Sequence, residues 1–323
     1  MKLTRLIRIA FMLCAIVGAS FSVAQTHGSG HKSSNAELAA FLGRWDLTLQ
    51  APDRTYPSWL EVRQEGTELK AQYVGRWGNA RPLPKVEIAE GVLTFVSPKE
   101  EEDSKGDLVF EGRLIGKILS GTLNGPDGKQ WKWSGVRAPA LTAMHSPKWG
   151  KPISLFNGKD LTGWKASGPG KSWTVQDGTL VSPGNGPELI SEQPLKDFKL
   201  HIEFNCGKDS NSGVYLRGRY EVQIETESQA EPPSHHTGGV YGFIAPKPEL
   251  PRSPDVWQTF DITLIGRKLT VVQNGTTIID NEEIPGITGG ALNSNEAEPG
   301  PLYLQGSEKG HVAFRNIVVT PAQ

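Results

Sequence analysis

Residues 220–227 read YEVQIETE. From Tyr220 to Glu225 apolar and polar side chains alternate strictly, which is the period of a β-strand. Tyr220, Val222 and Ile224 are then core. Glu221, Gln223 and Glu225 stand in a row on the other face. Followed upstream, the alternation runs through SGVYLRGRYEVQIET (212–226). It predicts one long strand with Tyr215, Arg217, Arg219, Glu221, Gln223 and Glu225 on one side. Neighbours on that side lie ~6.6 Å apart. Such a row is either a solvated face with cross-strand Arg–Glu pairs or a polar groove. The residues alone leave both open.

The same period recurs along the chain. GRWDLTLQ, SWLEVRQ, LKAQYVG, LPKVEIA, VLTFVS, DLVFEGRL, KILSGTLN and KQWKWSGVRA are eight short alternating segments. Glu65-Gly66, Glu90-Gly91 and Asp127-Gly128 mark turns between them. They predict a small antiparallel β-barrel over 37–138, and FLGRWDL resembles the Gly-x-Trp start of lipocalin-like barrels. Trp45, Trp59, Trp77, Trp131 and Trp133 are assigned to its core and sheet faces. APALTAMHSPKWGKP reads as a linker over 139–152 with one helical turn. Residues 153–321 follow as a second strand-rich region. Its segments include SWTVQDGTLVS, FKLHIEFNC, GVYGFIA, QTFDITLIG, LYLQG and HVAFRNIVVT. VVQNGTTII (271–279) carries an Asn-Gly hairpin signal. So many short strands in one region predict a two-sheet jelly-roll sandwich. The fold class is therefore all-β.

Composition narrows the function. The 323 residues carry a formal net charge of −1, which argues against a nucleic-acid partner. Residues 1–24 combine Lys2, Arg5 and Arg8 with an apolar run and Ser22-Val23-Ala24, the pattern of a secretory signal peptide. No later segment is long and apolar enough to span a membrane. The expected location is periplasmic or secreted. Residues 25 to about 36 read as polar and disordered. Cys206 is then the one cysteine of the mature chain, so the cores alone must hold the fold.

Nine blocks along the second region carry a family resemblance. They are Leu155–Trp164, Trp173–Val175, Asp177–Leu180, Asn211–Arg217, Tyr220–Ile224, Thr237–Gly242, Asn274-Gly275, Leu304-Gln305 and Phe314–Ile317. In this order they resemble the 3-keto-disaccharide hydrolase family, also described as 3-keto-glucoside 1,2-lyase/2-hydroxyglucal hydratase. The resemblance implies a concanavalin A-like jelly roll acting on sugars oxidised at carbon 3. The chain departs from the family at Glu225 (usually Asp), Gln258 (usually Asn) and Ser307 (often His). The implied reaction is deprotonation at carbon 2, β-elimination and rehydration, a net hydrolysis. The alternative is a non-catalytic carbohydrate-binding module of the cell envelope. A third is an envelope interaction protein working through the barrel.

Candidate catalytic residues are Glu221, Gln223, Glu225 and His236, carboxylates or imidazole as base and an amide for the enolate. His235 is the neighbouring alternative, since adjacent residues of an extended chain point apart. Candidate substrate contacts are Asn211, Ser212, Arg217, Tyr241, Trp257 and Gln305. No metal motif is present, and a divalent ion stays open as cofactor. Expected partners are a small carbohydrate and a 3-keto-forming oxidoreductase acting upstream, with no nucleic acid.

Overall fold

The computed structural model describes residues 35–323 except 76–77, 100–103, 142–146, 170–172, 183, 227–230 and 308. The signal-peptide segment, Trp77, part of the linker and Glu227 lie outside the described residues. The described chain is all-β apart from a short helix and a 3-10 turn, and 33–323 forms one compact unit. None of its helices is long and apolar enough to cross a membrane.

Nine strands come first among the described residues. They are β1 Gly43–Gln50, β2 Thr55–Glu65, β3 Glu68–Val74, β4 Ala80–Pro82, β5 Lys85–Ala89, β6 Val92–Ser97, β7 Leu108–Ile115, β8 Ile118–Asn124 and β9 Gln130–Arg137. They pair as β4-β3-β2-β1-β9-β8-β7-β6-β5, so a meander is rolled until its first strand meets its ninth. Its two edges, β4 and β5, are consecutive in the chain, and the Leu83 N–H donates to the Ala71 carbonyl at 2.9 Å. All eight alternating segments are strands here, and β4 is an addition. Inward residues form an aromatic core of Trp45, Tyr73, Phe95, Phe110 and Trp133. The tail read as disordered ends in helix α1, Asn35–Phe41. Phe41 joins that core, and its carbonyl accepts from Trp45 Nε1.

Thirteen further strands make the sandwich. One sheet contains β10 Ile153–Ser154, β12 Thr174–Gln176, β13 Thr179–Ser182, β15 Phe198–Cys206, β18 Gln258–Ile265, β19 Lys268–Gln273, β20 Thr276–Glu283 and β22 Val312–Pro321. The other runs in the order β11 (Trp164–Ala166), β14 (Leu189–Leu195), β21 (Gly300–Leu304), β16 (Asn211–Leu216), β17 (Tyr220–Glu225). Alternate residues of both sheets meet in the core: Leu200, Ile202 and Phe204 from one side, Val214, Leu216, Val222, Ile224, Leu302 and Leu304 from the other. Asn274-Gly275 turns β19 into β20 with both residues at positive φ. Cys206 is a buried free thiol, pushed up to about 12 by its burial.

Two expected strands are corrected. The single long strand expected over 212–226 is instead a hairpin, β16 and β17, in register Tyr215↔Glu221 and Gly213↔Gln223. Arg217 and Gly218 both have positive φ, and the Arg219 N–H donates to the Leu216 carbonyl, closing a type I′ turn. GVYGFIA is also no strand. It is a looped segment in which Val240 bridges Val222 and Ile244.

The rolled sheet does not stand apart from the sandwich. Trp59 and Val74, paired across β2 and β3, belong to the sandwich core. Trp59 packs edge-on against Phe243 with ring centroids 5.3 Å apart. Gly286 lies so close to Trp59 that a Cβ there would sit 2.1 Å from the indole nitrogen.

Candidate active site

The outer face of the five-stranded sheet holds a cavity of about 200 Å³. Its residues follow from register. Ile190 of β14, Tyr303 of β21, Tyr215 of β16 and Glu221 of β17 form one cross-strand row. Glu188, just before β14, lines the cavity at the end of that row. Gln305, Gly213 and Gln223 form the next row, with the Gln305 N–H donating to the Gly213 carbonyl at 3.0 Å. Gly213 is what lets the two rows interlock. A Cβ there would stand 2.2 Å from Glu221 Oε1, so glycine leaves the volume that the carboxyl group fills. Asn211 and Tyr241 complete the polar wall, and Gly289 and Gly290 the backbone wall.

Burial sets the electrostatics. Glu221 is 3% exposed. The Tyr215 hydroxyl lies 2.8 Å from Glu221 Oε2 and 2.9 Å from the Gly289 carbonyl. One phenolic proton thus faces two acceptors. Burial, then the Glu221 charge, push Tyr215 well above the usual phenol range. Burial, then Glu188 and Glu221, do the same to Tyr303, which hydrogen-bonds Glu188. Both phenols are therefore neutral donors across the ordinary pH range. Their rings stack at 4.2 Å. The carboxamide oxygens of Gln223 and Gln305 are buried with no hydrogen-bond partner among the described residues. Buried acceptors are almost always satisfied, and these two face one cavity whose occupant can satisfy them.

Glu221, Gln223, Asn211, Tyr241 and Gln305 are thus brought together as the sequence suggests. Five other candidates lie elsewhere. Glu225 is turned to Arg252, 3.0 Å away. Ser212 faces inward and donates to the Gln305 carbonyl. Arg217, displaced by its turn, donates to Tyr220 Oη and the Gly266 carbonyl on the core side. Trp257 lies under the Arg315 guanidinium, 3.9 Å from its ring centroid. His236 Nδ1 is 2.8 Å from Glu249. The histidine nearer the cavity is His235, stacked on Tyr241 at 4.2 Å.

Sequence reasoning passes over Glu188 and Tyr303. Tyr303 carries the same signal that selects Gln305, alternation against Leu302 and Leu304. Glu188 carries none, because it precedes a strand whose pairing is long-range. Among the described residues no group of three or more His, Cys, Asp or Glu is placed to hold a metal. The two histidines are engaged by Glu231, Asn79 and Glu249.

Residues 151–320 match the model of a family described as the 3-keto-alpha-glucoside-1,2-lyase-like domain. A 3-keto-disaccharide hydrolase of Bacteroides thetaiotaomicron is 31% identical over 75 residues, 20% of this chain and 26% of that protein. The chain thus matches about a quarter of the length of that curated relative. A candidate glycosyl hydrolase of Parabacteroides distasonis superposes with a TM-score of 0.46 at 26% identity, covering 55% of this chain and 92% of that one. A second from the same organism gives 0.44 at 20% identity, covering 53% and 94%.

Proposed function

Since the chain belongs to the 3-keto-alpha-glucoside-1,2-lyase-like family, we propose that it cleaves 3-keto-glycosides in the cavity on β16, β17 and β21. The observation that carries this reading is Glu221: a buried carboxyl group beside two orphaned amide oxygens and two phenols held neutral. The cavity is smaller than the roughly 300–1,000 Å³ of drug-sized ligand sites. It suits one sugar ring, with the leaving group outside.

The ketone at carbon 3 acidifies the hydrogen at carbon 2. Glu221 takes that proton, and the C2–H electron pair moves into the enolate. The N–H groups of the Gln223 and Gln305 amides and the phenol of Tyr241 are the available donors for its oxygen. The arginines of the expected row do not reach the cavity, so the donors are neutral. The enolate re-forms the ketone, a C1=C2 double bond forms and the glycosidic C–O bond breaks. The departing oxygen takes a proton from a neighbouring acid. Tyr215, donating 2.8 Å from Glu221 Oε2, orients the carboxyl group, which keeps the proton it gained until carbon 2 needs it. Water then adds at carbon 1, and carbon 2 regains a proton. The sum is hydrolysis, with no net oxidation.

Such a substrate requires a preceding oxidation at carbon 3 of the sugar, the work of an oxidoreductase. The leader-like segment 1–24 supports export, which N-terminal sequencing of the mature protein tests. The central test pairs a 3-keto-disaccharide with the same disaccharide unoxidised. Turnover of the first and not the second is expected. Binding of the keto sugar without turnover would make the protein a binding module instead.

A further inference from the structure

The matched family region begins at residue 151, yet one wall of the cavity is supported from outside it. Residues 78–80, which lead into β4 of the rolled sheet, are wedged between two cavity loops. A Cβ on Gly289 would lie 2.3 Å from the Gly78 carbonyl oxygen. A Cβ on Gly242 would lie 2.5 Å from Asn79 Cβ. Between these contacts Asn79 Nδ2 lies 2.8 Å from His235 Nε2. The amide nitrogen is only a donor, so Nε2 accepts and the ring proton sits on Nδ1. There it faces Glu231 Oε2 at 3.0 Å. The imidazole so fixed stacks on Tyr241 with an interplanar angle of 22°. Tyr241 lines the cavity, and its N–H donates to the Glu221 carbonyl at 3.2 Å.

We propose that Asn79 is a positioning residue of the sugar site: from the N-terminal sheet it fixes the tautomer and plane of His235 and thereby the ring of Tyr241. This rests on reading the cavity as the sugar site. The two segments then form one working unit, and the N-terminal sheet sets how well a sugar ring is held. The physical cause is ordinary. A histidine with two defined partners has one ring orientation, and a stacked phenol inherits it. Tyr241 so held keeps one face on the cavity, where a sugar's C–H surface can lie against it.

The test uses the full mature chain. The nitrogen-15 shifts of His235 report its tautomer without any substrate. The parent is expected to show the Nδ1–H form, Asn79→Ala a mixture, and Asn79→Asp, which presents an acceptor, a proton on Nε2. With a 3-keto-disaccharide, Asn79→Ala is expected to raise KM about fivefold to tenfold, the worth of one partly buried hydrogen bond. Its kcat should change less than KM, because Asn79 touches no reacting atom. Thermal melting of each variant checks the fold. Asn79→Ala with unchanged tautomer and unchanged KM would overturn the inference. A parent that turns over no keto sugar would instead defeat the functional reading, and the imidazole shifts alone would then decide the positioning claim.

Discussion

Two buried carboxyl groups of the sandwich, Glu221 and Glu296, keep very different company. Glu296, 1% exposed, is held by Arg267 through two hydrogen bonds of 2.9 and 2.8 Å and by the Tyr220 hydroxyl at 2.6 Å. Burial alone would push it up, but Arg267, Asp46 and Tyr220 hold it below the usual carboxylate range. Asp46, from β1 of the rolled sheet, completes the cluster as its neutral member. Glu221 is nearly as buried, yet it is met by a neutral phenol and flanked by the unpartnered oxygens of Gln223 and Gln305. A buried ion that is fully paired serves the fold. A buried carboxyl group that lines a cavity with a second carboxyl group, Glu188, and no ion pair of the Glu296 kind is a functional-site signature.

The largest effect should come from Glu221→Gln. It keeps the shape and removes the base, so turnover of a 3-keto-disaccharide should fall by about 10²–10⁴. Its melting temperature should stay level or rise, since a buried charge is gone. If the variant melts much earlier, Glu221 belongs with Glu296 and the contrast fails. Arg267→Met asks the converse. It leaves Glu296 uncompensated and should cost about 3–5 kcal/mol in denaturant unfolding, with kcat of the folded fraction close to the parent's. A selective loss of kcat would instead bring the cluster into the catalytic machinery.

Gln223→Ala should act more mildly. Its amide oxygen has no partner to lose, so stability should change by less than about 1 kcal/mol. KM for the keto sugar should rise about tenfold through loss of contacts to the sugar. Equal weakening of the unoxidised sugar would mean that Gln223 reads a hydroxyl rather than the carbonyl.

Much of this contrast is legible in the sequence. Alternation in YEVQIE separates Tyr220, Val222 and Ile224 from Glu221 and Gln223, and all fall on the sides that the period assigns. What misleads is Arg217-Gly218. A type I′ turn needs positive φ at both positions, and Asn-Gly or Asp-Gly announces it. An arginine in that place looks like one more strand residue, so two strands read as one and Arg217 falls in the groove. The same cause hides the rows. Tyr303 next to Tyr215 is a pairing between distant segments, and Gly213 beneath Glu221 depends on the unseen turn, so no local period encodes either. Trp59 and Asn79 are invisible as site supports for the same reason. Nothing local marks which face of a rolled sheet meets a neighbour. The histidine pair shows a finer limit: adjacency predicts that one ring is useful, and the loop geometry turns His235, not His236, towards Tyr241.

The paired side of the comparison is also tested through pH. Asp46 is raised from 3.8 to about 9, first by burial and then by the charge of Glu296. In the unfolded chain it ionises near pH 4. Between pH 4 and 9 the folded state therefore holds a proton that the unfolded state has released. With more protons bound when folded, stability falls as pH rises through that window and levels off above it. Asp46→Asn supplies a neutral donor to Glu296 at every pH and removes this dependence. The melting temperature of the variant minus that of the parent should grow from pH 5 to pH 9 and then stay constant. At pH 4 and below, where Asp46 is protonated in both states, the two proteins should melt together. A difference that shrinks as pH rises would mean that Asp46 is ionised in the fold. Glu296 would then share Arg267 with a second carboxylate and would no longer stand as the fully paired counterpart of Glu221.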